Sequence, residues 1–205
     1  MALQPTTECP TAAAVVEPAP WDVPPVELAP RLRGEPGLLL LDSARTDDRQ
    51  GRWSFLMAAP TTVITARRGR VRIRDADGET EHPGSLFDAV RDRLRRRVRP
   101  PHPLVPFTGG AAGYWAYELR TEVEAVPRRS ASDHLLPDAW IGFYPALYAY
   151  DHRAGRGYLV ASEPDAREWI ARLRARLERP VAPPPPAPPA RWIGGSHDRA
   201  RYVAA

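Results

Sequence analysis

The chain has 205 residues, a formal net charge of +4 at neutral pH and a hydrophobic content of 43%, which allows a folded core. Every basic residue is arginine, because lysine is absent from the sequence. This excludes a Schiff-base lysine and the lysine of a phosphate-binding loop. The 29 arginines are interspersed with 25 acidic residues, so we expect no basic face of the kind that binds nucleic acid.

Cysteine content and hydropathy indicate the cellular compartment. Cys9 is the only cysteine, so no disulfide can form within the chain, as is usual in a reducing environment. No apolar run reaches the length of a membrane helix, and the first residues do not resemble a signal peptide. We therefore expect a cytoplasmic protein without a membrane partner.

Proline divides the chain into four regions. Residues 1–20 combine Ala, Thr, Pro and Glu, and we expect them to be disordered. Residues 21–179 carry the apolar patterning of one globular domain. Residues 180–190 are almost entirely Pro and Ala, which predicts a stiff polyproline II linker. Residues 191–205 then begin a further unit.

The first half of the globular region is predicted to be mainly strands. Residues 37–41 and 53–58 are short apolar runs of strand length. Residues 62–65 and 70–74 flank an Arg-Arg-Gly turn, which predicts a hairpin. A second turn is expected at residues 75–78, which read DADG.

The second half adds helices. A capping box of Ser85 and Asp88 predicts a helix that ends before Pro100, with an apolar face of Phe87, Val90, Leu94 and Val98. Residues 141–150 form one long apolar stretch, which should pair with 157–161 as a hairpin. A capping box of Ser162 and Asp165 predicts a last helix, whose apolar stripe comprises Ala166, Ile170, Leu173 and Leu177.

Strands and hairpins come first, and helices do not alternate regularly with them. This order argues against a doubly wound parallel sheet. The expected fold is α+β, with a mostly antiparallel sheet and flanking helices.

Isolated residues give no active site. The five histidines lack metal-ligand spacing, so no metal site and no catalytic residue is assigned. Residues 109–113, GGAAG, are either a phosphate cradle or the entry of a strand that approaches another backbone closely, and the latter is favoured. The arginine run at 91–99 either binds an acidic partner or is the solvated face of a helix. The helical apolar spacing favours the solvated face.

Three longer segments, taken together, resemble a known family. They read LLLLDSARTDDRQGRWSFLMAAP at 38–60, PFTGGAAGYWAYE at 106–118 and PDAWIGFYPALYAYDH at 137–152. In order and spacing they are similar to the N-terminal domain of component I enzymes that use chorismate, anthranilate synthase and aminodeoxychorismate synthase. The resemblance covers residues 21–179 and implies the N-terminal half of that fold.

The same resemblance extends into residues 191–205, RWIGGSHDRARYVAA. They look like the family's entry into its chorismate-binding domain, with Ser196 capping a helix that carries Tyr202. The family's chorismate and Mg²⁺ motifs are not found in the chain, which implies that it stops before the catalytic domain and is inactive alone. The implied partners are that missing domain and a glutamine amidotransferase subunit, and no cofactor is expected in this chain.

The resemblance also implies a tryptophan pocket in the N-terminal domain. The matching residues are Asp42, Ser43, Gly51, Arg52 and Trp53. The alternative is that Ser43 caps a turn while Trp53 packs in the core. Asp42-Ser43-Ala44 and the later Asp-His pair favour the branch that makes 4-aminobenzoate for folate. An anthranilate synthase domain and a stand-alone ligand-sensing module are the other readings.

Overall fold

The structure, a computed structural model, describes residues 13–43, 51–95, 97, 100–125, 136–181, 189–191 and 199–204. Within them the chain forms ten strands: β1 Val15–Pro18, β2 Leu39–Leu41, β3 Trp53–Met57, β4 Thr62–Arg67, β5 Arg70–Asp75, β6 Gly78–Pro83, β7 Gly110–Trp115, β8 Ala139–Tyr144, β9 Ala146–Asp151 and β10 Arg156–Ala161. The α-helices are α1 Pro25–Leu28, α2 Leu86–Arg95, α3 Arg120–Val123, α4 Ala166–Leu177 and α5 Arg199–Ala204. The predicted α+β class is confirmed.

The strands form two five-stranded sheets in which every pairing is antiparallel. The first sheet has the order β1-β10-β9-β3-β2, and the second has the order β6-β5-β4-β8-β7. One face of the first sheet packs on α1 and α4, and one face of the second packs on α2. The two remaining faces pack on each other. The predicted hairpins, β4–β5 and β9–β10, are both present.

The long apolar stretch at 141–150 is two strands rather than one. β8 ends at Tyr144 in the second sheet, and β9 begins at Ala146 in the first. Pro145 stands between them, and because proline has no N–H it cannot continue a strand ladder. Both strands are buried on both faces, so their sequences show no alternation that would separate them.

The predicted disorder of residues 1–20 is wrong for their last part. Val15–Pro18 forms β1, which pairs with β10 in the register Val15↔Ala161. Two adjacent β-branched valines suit a strand, but the Pro- and Ala-rich surroundings hide so short an element. Residues 1–12 lie outside the described part. The strand β6 was also missed, because its sequence GETEHP is polar and fully exposed.

The helix predictions are only partly correct. Ser85 Oγ accepts the N–H of Phe87 as expected, but Asp88 pairs with Arg91 instead of completing the capping box. The box at 162–165 is wrong, since α4 starts at Ala166 after Asp165, whose φ is 59° and whose side chain caps nothing. The buried members of the α4 stripe are confirmed: Ile170, Leu173 and Leu177.

The regions after residue 179 are only partly described. Most of the predicted linker at 180–190 lies outside the described residues, as does Ser196. The helix expected after Ser196 is present as α5. In the described part of the chain, no helix has the length and apolar character needed to cross a bilayer.

The glycines of the GGAAG segment serve strand entry and close packing, as favoured from the sequence. Gly109 and Gly110 have φ of 124° and 110°, which other residues rarely adopt. At Gly113 an added Cβ would lie 2.9 Å from Cα of Ile141 and collide with the carbonyl oxygen of Trp140. β7 can therefore lie beside β8 only with glycine at this position.

We predict that Gly113→Ala lowers the free energy of unfolding by about 1–3 kcal/mol, because the backbone of β8 must move to admit the methyl group. Urea denaturation measures the change. Gly84→Ala is the matched control, since its Cβ meets only the flexible His82 side chain. It should change the free energy by less than about 0.5 kcal/mol. Equal effects of the two variants would contradict the prediction.

Candidate functional site

Three strand ends meet at one end of the first sheet. β2 runs into Asp42 and Ser43, β3 is preceded by Arg52, and β9 continues into His152. The strand register joins them, with Leu41↔Phe55 on one side of β3 and Trp53↔Asp151 on the other. Residues 38–43, 51–60 and 137–152, the described parts of two of the segments that carry the family resemblance, are thus brought together in space.

The predicted pocket residues are mainly occupied with the protein itself. Ser43 Oγ donates to the carbonyl oxygen of Trp53 at 2.7 Å. Asp42 Oδ1 accepts the hydroxyl of Ser54 at 2.9 Å. The indole of Trp53 stacks near Phe55, with ring centroids 6.4 Å apart. These contacts match the alternative in which Ser43 holds a turn and Trp53 packs in the core.

Arg52 completes an ion pair across the strand end. Its Nε and terminal nitrogen donate to both carboxylate oxygens of Asp151, the shortest contact being 2.6 Å. The Asp151 side chain is 3% exposed, whereas that of Arg52 is 51% exposed. This hydrogen bonding lowers the pKa of Asp151, so the pair stabilises the fold above the ordinary carboxyl pKa and is lost on stronger acidification.

Gly51 provides the bend that brings Arg52 to this position. Its φ of 75° lies in the left-handed region, which glycine adopts without a steric penalty. The residues before it, 44–50, lie outside the described part of the chain. The predicted loop side of the pocket is therefore not described.

Within the described residues, the predicted pocket residues are divided between two faces of the first sheet. Asp42 bonds to Ser54, which lies on β3 with the same facing as Leu56, toward α1 and α4. Trp53 instead belongs to the cluster between the two sheets. Because neighbouring residues of a strand point to opposite faces, Trp53 and Ser54 face different layers.

Sequence reasoning missed the residue at the centre of this strand end, which is Ser54. It is fully buried and its hydroxyl has three neighbours. The N–H of Ser43 donates to it at 2.9 Å, and its own hydrogen goes to Asp42. The third neighbour is Nε2 of His152 at 2.7 Å. The only signal in the sequence is the position of Ser54 within GRWS and of His152 within the terminal DH.

Counting donors fixes the histidine tautomer. A serine hydroxyl has one hydrogen and two lone pairs. The hydrogen of Ser54 is used by the Asp42 carboxylate, which can only accept, and one lone pair is used by Ser43. His152 must therefore donate from Nε2 to the second lone pair. The imidazole is also held edge-on against Tyr150, with centroids 5.0 Å apart.

A separate apolar cavity lies where the edges of the two sheets approach each other. Its volume is about 270 Å³, near the lower end for small-molecule sites. It contains none of the five predicted residues, although Leu41 directly precedes Asp42. Its lining is Leu41, Phe55, Phe107, Ala111, Ala112, Gly113, Trp115 and Ile141.

The described arginines of the run at 91–99 form ion pairs within the fold. Arg91 pairs with Asp88, Arg93 with Asp75 and Arg97 with Glu163. This matches a solvated, ion-paired helix face better than a surface for an acidic partner. Among the described residues there is also no group of three or more His, Cys, Asp or Glu side chains that could hold a metal ion.

The chain is similar in sequence to known proteins of one family. The sequence profile of the chorismate binding enzyme family matches residues 41–205, so the chain belongs to that family. Anthranilate synthase component 1 of Geobacillus stearothermophilus is 28% identical over 184 residues, 81% of this chain and 36% of the relative. Aminodeoxychorismate synthase component 1 of Klebsiella aerogenes is 28% identical over 153 residues, 74% of this chain and 34% of the relative.

A solved structure has the same fold. Anthranilate synthase component I from Streptococcus pneumoniae TIGR4 superposes with a TM-score of 0.52 at 17% identity, over 80% of this chain and 37% of its own. The chain thus spans little more than a third of the length of the relatives it matches.

We predict that Ser54→Ala lowers the free energy of unfolding by about 1–3 kcal/mol, because the N–H of Ser43 and the ring of His152 lose a buried acceptor. Urea denaturation measures this change, with Thr80→Ala on the exposed strand β6 as control.

In ¹⁵N NMR of the wild-type protein at alkaline pH, His152 should carry its hydrogen on Nε2. A hydrogen on Nδ1 would contradict the network.

Proposed function

We propose that this chain is the N-terminal, structural and regulatory part of an aminodeoxychorismate synthase component I. The observation that carries the proposal is the family match over residues 41–205, in a chain that covers only about a third of each relative. The complete enzyme would convert chorismate and ammonia to 4-amino-4-deoxychorismate, the precursor of 4-aminobenzoate and folate. In this proposal the catalytic groups of the complete enzyme lie outside this chain.

The other requirements of the reaction lie elsewhere in this proposal. Ammonia would come from a glutamine amidotransferase subunit. Mg²⁺ would bind in the domain that carries the chorismate site. The role of this chain is then to supply the strands of the N-terminal domain and a surface on which the catalytic domain packs.

Exposed apolar side chains support such a surface. Leu41 of β2 and Trp115 of β7 are 40% and 47% exposed, and both line the apolar cavity. Tyr117, just beyond β7, is 77% exposed. Side chains of this kind are usually covered when they occur together, because exposed apolar patches promote association.

The choice of branch rests on two short motifs. Asp42-Ser43-Ala44 and Asp151-His152 resemble the aminobenzoate branch more than the anthranilate branch. In the structure the two motifs meet through Ser54, which touches both Asp42 and His152. Anthranilate synthase component I is the second candidate, because relatives of both kinds match this chain at equal identity.

The test of function begins with the coding sequence after Ala205. If a chorismate-binding region follows or is encoded nearby, the joined protein is assayed with chorismate and ammonia. We expect 4-amino-4-deoxychorismate from the joined protein and no turnover by residues 1–205 alone. Release of anthranilate would overturn the choice of branch. Turnover by the 205-residue chain, or no chorismate-binding region in any frame, would overturn the proposal itself.

We also propose that the apolar cavity holds the indole of tryptophan, with Ser43 close by at the end of β2 to bond its polar groups. The volume of about 270 Å³ and the aromatic lining suit an indole ring. Loss of the Ser43 bond to Trp53 would free its hydroxyl for the ligand.

We expect calorimetry to show saturable L-tryptophan binding that Ala112→Val weakens about tenfold or more, because the added methyl groups occupy the cavity. Ala76→Val, in the exposed turn between β5 and β6, is the control and should bind as the wild type does. No heat and no thermal shift with the wild-type chain would contradict tryptophan binding while leaving the enzyme assignment standing.

A further inference from the structure

A second cavity lies on the outer part of the second sheet, around the β4–β5 hairpin. We call it the arginine cleft. Its volume is about 560 Å³. It is lined by Thr65, Arg67, Arg68, Arg70, Arg72, Glu81 and Pro137.

Strand alternation creates the arginine cleft. On β5, Val71 and Ile73 face the cluster that includes α2. Arg70, Arg72 and Arg74 alternate with them and therefore project from the opposite face, at an outer part of the second sheet where they are exposed rather than covered by the first sheet. At the tip of the β4–β5 hairpin, Arg68 and Gly69 have φ of 50° and 75°, as a two-residue type I′ turn requires.

The charges around the arginine cleft do not balance. Four arginines line it, and Glu81 is the carboxylate among the described lining residues. Glu79 and Asp138 lie beside it, against Arg72 and the backbone N–H of Arg68. Positive charge therefore exceeds negative charge among the described residues of the cleft. Arg67 and Arg70 are also directly opposite in the strand register, where like charges repel.

Glu81 orients two of these arginines by hydrogen bonding. It accepts Nε of Arg70 on one oxygen, and Nε and a terminal nitrogen of Arg72 on the other. Because it holds Arg70 by Nε, the two terminal nitrogens of Arg70 stay available. Within the described residues they have no partner, and neither has the guanidinium of Arg68.

Ordinary surface ion pairing explains only some of the side chains in the arginine cleft. Cross-strand Arg–Glu pairs such as Arg72 with Glu81 are common on exposed sheets and contribute little. They do not account for Arg68 and Arg70, whose hydrogen-bond donors remain unused beside a concave surface. Planar guanidinium groups bind the oxygen pairs of carboxylates and phosphates in a bidentate manner.

We propose that the arginine cleft binds a small dianion, a phosphate monoester or a dicarboxylate, through Arg68 and Arg70. Two negative charges match the two guanidinium groups that keep unused donors among the described residues, those of Arg68 and Arg70. Glu81 acts as the positioning residue that orients Arg70. This site is independent of the proposed function, because it shares no residue with the strand end or the apolar cavity.

The experiment is an NMR titration of the 205-residue chain at low ionic strength, with inorganic phosphate in one arm and succinate in the other. We expect saturable shifts of the amides of the β4–β5 hairpin with one site per chain in at least one arm. Arg68→Gln and Arg70→Gln should each weaken that binding about tenfold. Arg33→Gln, which removes an exposed arginine elsewhere, should leave it unchanged.

Each outcome bears on the proposal. Saturation by phosphate alone or succinate alone supports it and assigns the class of ligand. Shifts that never saturate in either arm overturn it, as does an equal loss in Arg33→Gln, which would reflect net charge rather than a site. Thermal unfolding of the variants separates lost binding from lost folding, because these exposed side chains should leave the melting temperature within a few degrees.

Discussion

The contact between the two sheets is the constraint on which the rest of the structure depends. The chain passes from one sheet to the other at Pro145, between two strands that are buried throughout. Tyr144, immediately before it, is 1% exposed and donates its hydroxyl to the carbonyl oxygen of Gly37 at 2.6 Å. Burial raises the pKa of this tyrosine, so the hydrogen stays on the oxygen that needs it. This hydrogen bond holds the segment before β2, at Gly37, against the end of β8 in the second sheet.

That placement determines where the strand-end residues lie. β2 pairs only with β3, so the position of Asp42 and Ser43 depends on β3 and on the segment anchored by Tyr144. Ser54 then joins β2 to His152 after β9. Because Ser54 has no free hydrogen-bonding capacity left, these three strand ends behave as one unit. A substitution of His152 should therefore alter the hydrogen bonding of Ser43 through Ser54, although the two residues are distant in sequence.

The sequence was sufficient for features that depend on local pattern. Periodicity and turn chemistry predict the β4–β5 hairpin with its Arg-Arg-Gly turn, the apolar stripe of α4 and the α+β class. It failed where tertiary structure decides. Val15–Pro18 is ordered only because β10 offers it a ladder, and β6 exists because β5 pairs with its glutamates. Ser54 could not be recognised as the centre of the site, because its partners follow two other strands, Asp42 and Ser43 after β2 and His152 after β9.

The four sheet edges differ in how they meet the solvent. β1 ends at Pro18 and carries Glu17, which pairs with Arg174, while β6 carries glutamates and ends at Pro83. Charge and proline are the usual means of discouraging another strand from adding to an edge. β2 and β7 have neither, and they border the same apolar cavity. Strand addition is therefore discouraged at the edges formed by β1 and β6 but not at those formed by β2 and β7. A partner that pairs with a sheet edge is expected on the side of the molecule where β2 and β7 lie.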